Sequence, residues 1–181
     1  YEESLQRLLS LASQVFEETG WWPEEISPGG GWACEMPGER GADIRVLARS
    51  LHACMQQMLS TMPEPMKPPT LVIEPGRSLI ARSGVTVYRI GARKSTPRGV
   101  DYLFVDGGMG DNIRPALYSA RYMAFAAERA TASHDKKIWV AGRYCESGDV
   151  LIEDALLPDM QERELLFVPM TGAYCLPMAS N

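Results

Sequence analysis

The hydrophobic pattern of this chain changes its period near Ser83, and that change limits the folds open to it. Before Ser83, apolar residues recur at helical spacing in two segments: Leu5, Leu8, Leu9, Ala12, Val15 and Phe16, followed by Gly20, and Ile44, Leu47, Ala48, Leu51, Met55 and Met58, followed by the breaker MPEPMKPP. The first predicts an amphipathic helix over about 3–18. Between the two lies WWPEEISPGGGW, a poor strand because Pro23 and Pro28 interrupt it; only 25–27 has the freedom to pair before three glycines open a loop. After the second helix, 71–73 is short and wholly apolar, the texture of a strand buried on both faces. Helix, strand, helix, strand, with glycine-containing turns after the strands, is the rhythm of an α/β barrel or a parallel sheet.

After Ser83 the texture is different. GVTVYRIGAR, DYLFVD, KIWVAG, DVLIED and LLFVPM are short β-rich runs, and STPRG, DGGMGDN, SHDK and ESGD punctuate them. The reading is therefore an α/β segment over 1–82 and an antiparallel β domain over 83–181.

Composition narrows the function classes. The 181 residues are 45% hydrophobic and 23% charged, with a net charge of -5, an ordinary soluble profile. An acidic balance without a basic cluster argues against a nucleic-acid surface. The apolar runs are too short to span a bilayer, and no secretory signal is visible. Cys34, Cys54, Cys145 and Cys175 are far apart and show no metal-ligand spacing; reduced thiols, no metal and a cytoplasmic location are expected. His52 and His134 have no partner pattern. The first residues already lie inside a helical pattern and lack an initiator Met, which reads as a piece of a longer protein.

Several short motifs carry chemistry. Gly29, Gly30 and Gly31 sit between a possible strand and a helix, where bare N–H groups can cradle a phosphate; taken alone, the motif reads first as a plain flexible loop. In LVIEPGRSLIAR, Glu74 and Arg77 stand at the end of a strand, where barrel enzymes place their chemistry. Arg77 has the planar fork that grips carboxylates and phosphates, although a Glu–Arg surface pair across a turn also accounts for the two. DGGMGDNIRPALY is a long glycine-rich loop ending in Arg114 and Tyr118, suited to an anionic substrate or to a solvated connection. Cys145 beside Glu146 offers a proton donor and an amine binder, or a small buried thiol next to an exposed acid. Tyr174 follows another strand as a phosphate donor or an interface tyrosine.

Taken in order, GGG, EPGRSLIARSGVTVYR, VDGGMGDNIRPALY, VAGRYCESGD and VPMTGAYCLPMASN resemble the fold-type III pyridoxal-phosphate decarboxylases, most closely the branch acting on diaminopimelate. The match is nearly continuous over 71–181 and weaker over 1–70. The resemblance implies the last units of a (β/α)8 barrel followed by an antiparallel β domain, pyridoxal 5'-phosphate as cofactor, an amino-acid substrate and a homodimer with shared active sites. It implies that Glu74 pairs with the pyridine nitrogen, keeping the ring protonated as an electron sink. Gly29, Gly30, Gly31, Gly76, Arg77 and Tyr174 are implied as the rest of the cofactor site. Arg77, Arg114, Tyr118, Glu146 and Tyr174 are implied to hold the substrate, and Cys145 to reprotonate the carbanion. The anion clamp in RPALY suits a dicarboxylic substrate better than a diamine precursor such as ornithine; arginine and carboxynorspermidine decarboxylases are the sister alternatives.

The sequence departs from the family in Trp32, which follows the triple glycine where a smaller residue is usual, and in Pro23 and Pro28. The resemblance also places the Schiff-base lysine and the ring-stacking histidine upstream of Tyr1. Lys67, Lys94, Lys136 and Lys137 lie in a proline-rich linker, a strand end and a turn, not in the buried strand-end setting such a lysine needs. The chain alone is therefore not expected to catalyse. The rival expectation is a non-catalytic binding or assembly module.

Overall fold

The computed structural model describes residues 1–36, 40–61 and 67–180. The chain divides into two compact units, Tyr1–Ala33 with Gly41–Gly76, and Cys34–Arg40 with Arg77–Asn181.

The first unit follows the expected rhythm. Helix α1 spans Glu2–Thr19 and buries Leu5, Leu9 and Ala12, the centre of the apolar stripe. Gly20 ends it in a left-handed conformation, φ 70°, its N–H donating to the Phe16 carbonyl. Strand β1, Glu25–Ile26, pairs in parallel with β2, Thr70–Leu71. Helix α2, Ile44–Leu59, starts at Asp43, whose carboxylate accepts from the N–H groups of Arg45 and Val46. Leu5, Leu9, Ile26, Leu51, Cys54 and Met55 form one core, against which Leu8, Leu47 and Leu71 pack. The breaker of α2 spans 62–69, of which 62–66 lie outside the described residues.

The strand expected over 71–73 differs in two respects. It covers only Thr70–Leu71, beginning one residue earlier and ending two earlier, and the run is not buried on both faces: Leu71 and Val72 are half-buried and Ile73 is exposed. The physical reason is the size of the sheet. Two short strands with the core of α1 and α2 packed on Ile26 and Leu71 leave the alternate residues without a second layer.

The second unit starts with a short turn of helix, α3 (Arg77–Ile80), and a 3-10 turn (Ala81–Ser83). Six strands follow: β3 Val85–Ser95, β4 Asp101–Val105, β5 Phe125–Ala126, β6 Lys136–Ala141, β7 Val150–Leu157 and β8 Leu165–Pro169. They form one sheet in the order β5-β8-β3-β4-β6-β7. Tyr88, Ile90, Leu103, Val105, Ile138, Val140, Leu151, Leu157, Leu166 and Val168 face one core, while Val85 and Val87 on the opposite face of β3 are exposed.

All five β-rich runs are strands, and the β domain holds with one correction. The sheet is mixed, because β4 and β6 run parallel, with Asp101 opposite Ile138 and Leu103 opposite Val140. Parallel neighbours need a long return path. Here it is the segment 106–135, which contains the glycine-rich loop, helix α4 (Arg114–Tyr118) and β5.

Candidate functional site

In the first unit the triple glycine is tied to Glu74, which stands beyond the end of β2 in an isolated bridge. Gly30 and Glu74 form a parallel bridge, and the Glu74 N–H donates to the Gly29 carbonyl at 3.3 Å. A Cβ on Gly30 would collide with the Glu74 carbonyl oxygen, so only glycine permits this approach. Gly29 and Gly31 hold φ of +87° and +81°, and the space where a Gly29 Cβ would stand is open to 4 Å. The Glu74 side chain is exposed, and its Oε1 accepts from the Ser27 hydroxyl at 2.7 Å. A carboxylate on the segment after β2 thus stands beside a glycine turn with free space over it. Trp32 is buried, 2% exposed, and meets the ring of Tyr1 edge-on; this departure from the family pattern serves as core rather than loop. Gly76 closes the unit with φ 47°.

In the second unit, Arg77 opens α3, and its Nη1 lies 3.4 Å from the Met36 Sδ. Arg114 begins α4, where Pro115 occupies an early helical position and Ser119 caps the end with φ 52°. Its guanidinium stands 5.4 Å from the ring centroid of Tyr118 and 5.4 Å from that of Tyr174, both within cation–π range. Tyr174 is itself held at φ 65°. Three of the sequence-predicted substrate residues are therefore brought together as one cluster. The Arg114 Nε–H also donates to the hydroxyl of Tyr122 at 3.1 Å, and that hydroxyl lies 3.7 Å from the Cys175 Sγ.

Burial pushes the Tyr122 hydroxyl up to about 12, with Cys175 adding to the shift and Arg114 opposing it. Burial likewise pushes the Cys175 thiol up. Tyr88 is pushed up by burial and then by the adjacent Asp111 carboxylate, and among the described residues its buried hydroxyl has no well-formed hydrogen bond.

Cys145 and Glu146 are both exposed, in a turn between β6 and β7. The Glu146 Oε1 accepts from the Gly148 N–H at 3.2 Å and from the Ser147 hydroxyl at 3.3 Å. What holds this turn is Asp149, 3% exposed. Its Oδ1 accepts from the Met109 N–H at 2.6 Å, and its Oδ2 from the Tyr144 N–H at 2.8 Å. A Cβ on Gly108 or on Gly142 would collide with this carboxylate. Asp149 therefore fastens the turn bearing Cys145 and Glu146 to the loop that leads to Arg114, and the Arg143 N–H adds a bond to the Gly107 carbonyl at 3.0 Å.

The predicted residues thus fall into two groups. Gly29, Gly30, Gly31, Glu74 and Gly76 belong to the first unit, and Arg77, Arg114, Tyr118, Cys145, Glu146 and Tyr174 to the second. Sequence reasoning missed Ser27, Tyr122 and Asp149 as members. The signal for Asp149 was in plain view: two glycines, 108 and 142, each leave room for it. Tyr122, within SARYMAFAA, carried no periodic signal. Among the described residues, no group of histidine, cysteine and acidic side chains is arranged to hold a metal ion, and no helix is long and apolar enough to cross a membrane.

Residues 15–172 match the family described as pyridoxal-dependent decarboxylase, C-terminal sheet domain. The chain is 41% identical over 183 aligned positions to the diaminopimelate decarboxylase of Actinosynnema pretiosum subsp. auranticum, an alignment covering 100% of this chain and 40% of that protein. It is 53% identical over 113 residues to the diaminopimelate decarboxylase of Bacillus subtilis (strain 168), covering 62% of this chain and 26% of that one. Among solved structures it is similar to diaminopimelate decarboxylase from M. jannaschii, with a TM-score of 0.87 and 27% identity over 99% of this chain and 40% of that one. It is also similar to the Helicobacter pylori enzyme complexed with L-lysine, with a TM-score of 0.80 and 26% identity over 98% of this chain and 42% of that one. The chain thus spans between about a quarter and two fifths of the length of these relatives.

Proposed function

The chain belongs to the pyridoxal-dependent decarboxylase family, and from that footing we propose that it is the C-terminal part of a diaminopimelate decarboxylase, a cytoplasmic homodimer releasing carbon dioxide from meso-diaminopimelate to leave L-lysine. The observation that carries the reading is the Arg114 cluster. A guanidinium flanked by Tyr118 and Tyr174 is an anion grip, and the far head of diaminopimelate presents the carboxylate it would take.

The first unit fits pyridoxal 5'-phosphate. The open space over Gly29 suits a phosphate beside the glycine turn, whose Gly29 N–H is itself held by the Ser27 hydroxyl, and the exposed Glu74 carboxylate, oriented by Ser27, suits a protonated ring nitrogen. When bound, the cofactor supplies the electron sink for the charge left on the α carbon as carbon dioxide departs. Glu74 keeps the proton at the ring nitrogen. Arg77, Arg114 and Tyr118 orient the substrate through its carboxylate, and Tyr174 takes part in both cofactor and substrate sites. Glu146 receives the far amino group, and Cys145 carries the proton returned to the α carbon. Both belong to an exposed turn, as a pair reaching into a partner subunit's site would.

The Schiff-base lysine is assigned to a part of the protein outside these 181 residues. Lys136 and Lys137 pair at exposed positions with Asp159 and Asp154, and Lys94 is exposed on β3. The chain alone is therefore expected to be inactive.

The test is carbon dioxide release by the complete gene product, offered meso-diaminopimelate, L-ornithine and L-arginine in parallel. Preference for meso-diaminopimelate supports the reading. Preference for either monocarboxylate substrate moves the chain to a sister branch, and release from none of them overturns it.

A further inference from the structure

Resting on that reading, we propose that Tyr122 is a positioning residue for the substrate carboxylate: it fixes the guanidinium of Arg114 so that the terminal Nη groups, rather than Nε, face the ligand. An arginine side chain can offer a carboxylate two different edges, end-on through both Nη groups or side-on through Nε and one Nη. Here the Nε–H is donated to the Tyr122 hydroxyl at 3.1 Å, and that edge is spent. The rings of Tyr118 and Tyr174 at 5.4 Å each further limit the rotation of the plane. Only the end-on edge is left to present.

Tyr122 is suited to the task in three ways. It is 6% exposed and packs in the same core as Cys175 and the sheet, so its hydroxyl is anchored by the fold rather than by solvent. Its hydroxyl has both an N–H to accept, from Arg114, and a second weak partner in the Cys175 sulfur at 3.7 Å, a contact in which either atom can donate. It also stays neutral through any ordinary assay pH, so it accepts from the guanidinium without adding a charge that would compete with the substrate's carboxylate. The backbone supports the arrangement: the buried Asn112 side chain accepts from the Arg114 N–H at 3.4 Å, fixing where the side chain starts.

The experiment uses the complete enzyme and Tyr122→Phe, which removes one oxygen and keeps the ring. The expected result is a KM for meso-diaminopimelate raised about tenfold, with kcat within about twofold, the size of one lost hydrogen bond to a charged group. Inhibition by L-lysine, which retains that carboxylate, should weaken by a similar factor. Inhibition by cadaverine, the same amine chain without a carboxylate, should not change. In an Arg114→Ala background the Tyr122→Phe effect should vanish. Cys175→Ala, which strips the hydroxyl of its second partner, should show the same lysine-versus-cadaverine split at about twofold, and it decides the matter if Tyr122→Phe does not fold. Equal weakening of lysine and cadaverine, or an unchanged KM, would overturn the inference. Failure of the wild-type enzyme to decarboxylate meso-diaminopimelate is a separate result, and it would overturn the functional reading instead.

Discussion

Gly30 and Glu74 are joined backbone to backbone, closely enough that the glycine has no room for a side chain. The triple glycine is therefore required at its centre by the neighbouring strand, before any ligand is considered. Gly30→Ala would push the turn away from Glu74 at a cost of roughly 1–3 kcal/mol. Pyridoxal phosphate titration of the complete enzyme, followed by its visible absorbance, should show weaker binding. Cofactor affinity equal to wild type would separate the bridge from the cofactor site.

Asp149 should be the most sensitive residue of the second unit outside the core. Asp149→Ala leaves the Met109 and Tyr144 N–H groups without their acceptor and opens space beside Gly108 and Gly142. The expected loss is about 3 kcal/mol in urea unfolding. Asp149→Asn keeps the size but turns one acceptor into a donor facing an N–H, so it should also destabilise. A loss under about 1 kcal/mol for the alanine variant would contradict the fastening role.

Tyr88 offers the opposite case. Asp111 stands beside its buried hydroxyl, but no well-formed hydrogen bond reaches it among the described residues, so Tyr88→Phe removes an unsatisfied group at constant shape. Thermal unfolding should show a stability unchanged or slightly raised, by about 0.5 kcal/mol or less. A drop of more than about 1 kcal/mol would mean that the hydroxyl bonds to Asp111 in solution.

Alkaline pH gives a fourth test. The folded state holds the Tyr122 proton up to about 12, against an ordinary value of 10.0. Between those values the unfolded chain has lost a proton that the folded chain still holds, so stability is intact below about pH 10 and falls as pH rises through the window to 12. Tyr88 acts in the same direction. Chemical unfolding from pH 8 upward should show this decline, and Tyr122→Phe should make it shallower. A slope identical to wild type would refute the assignment to Tyr122.

The two long helices were legible because each is one face of apolar residues with a glycine or proline stop, and 3.6-residue periodicity survives without tertiary context. The five longer strands were legible for the same reason at period two. Strand β5 was not: Phe125–Ala126 is two residues inside MAFAAER, too short to alternate. Nor was the parallel pairing of β4 with β6, since register between strands separated by 106–135 depends on which edges remain open after folding. The exposed Ile73 misled because an apolar triplet records what a strand can bury, not how many layers cover it. At the candidate site, charged and glycine-rich turns singled out Arg114, Cys145 and Glu146, whose roles are proposals. Tyr122 and Asp149 stayed hidden because their roles lie in partners far away in sequence, such as Cys175 and Met109.

The strand order has a consequence for synthesis. Strand β8 lies between β5 and β3, yet it follows every other strand in the chain. A ribosome-bound polypeptide that has released β3 to β7 can pair β3-β4-β6-β7, but β5 is left without a neighbour, since among the described residues it pairs with β8 alone. Val85 must wait for Pro169. Vectorial folding from the N-terminal side cannot complete such a sheet step by step. Tyr174, five residues beyond that last insertion, meets Arg114 only once it is done, so the cluster of Arg114, Tyr118 and Tyr174 is assembled by the closing event of folding rather than by local structure.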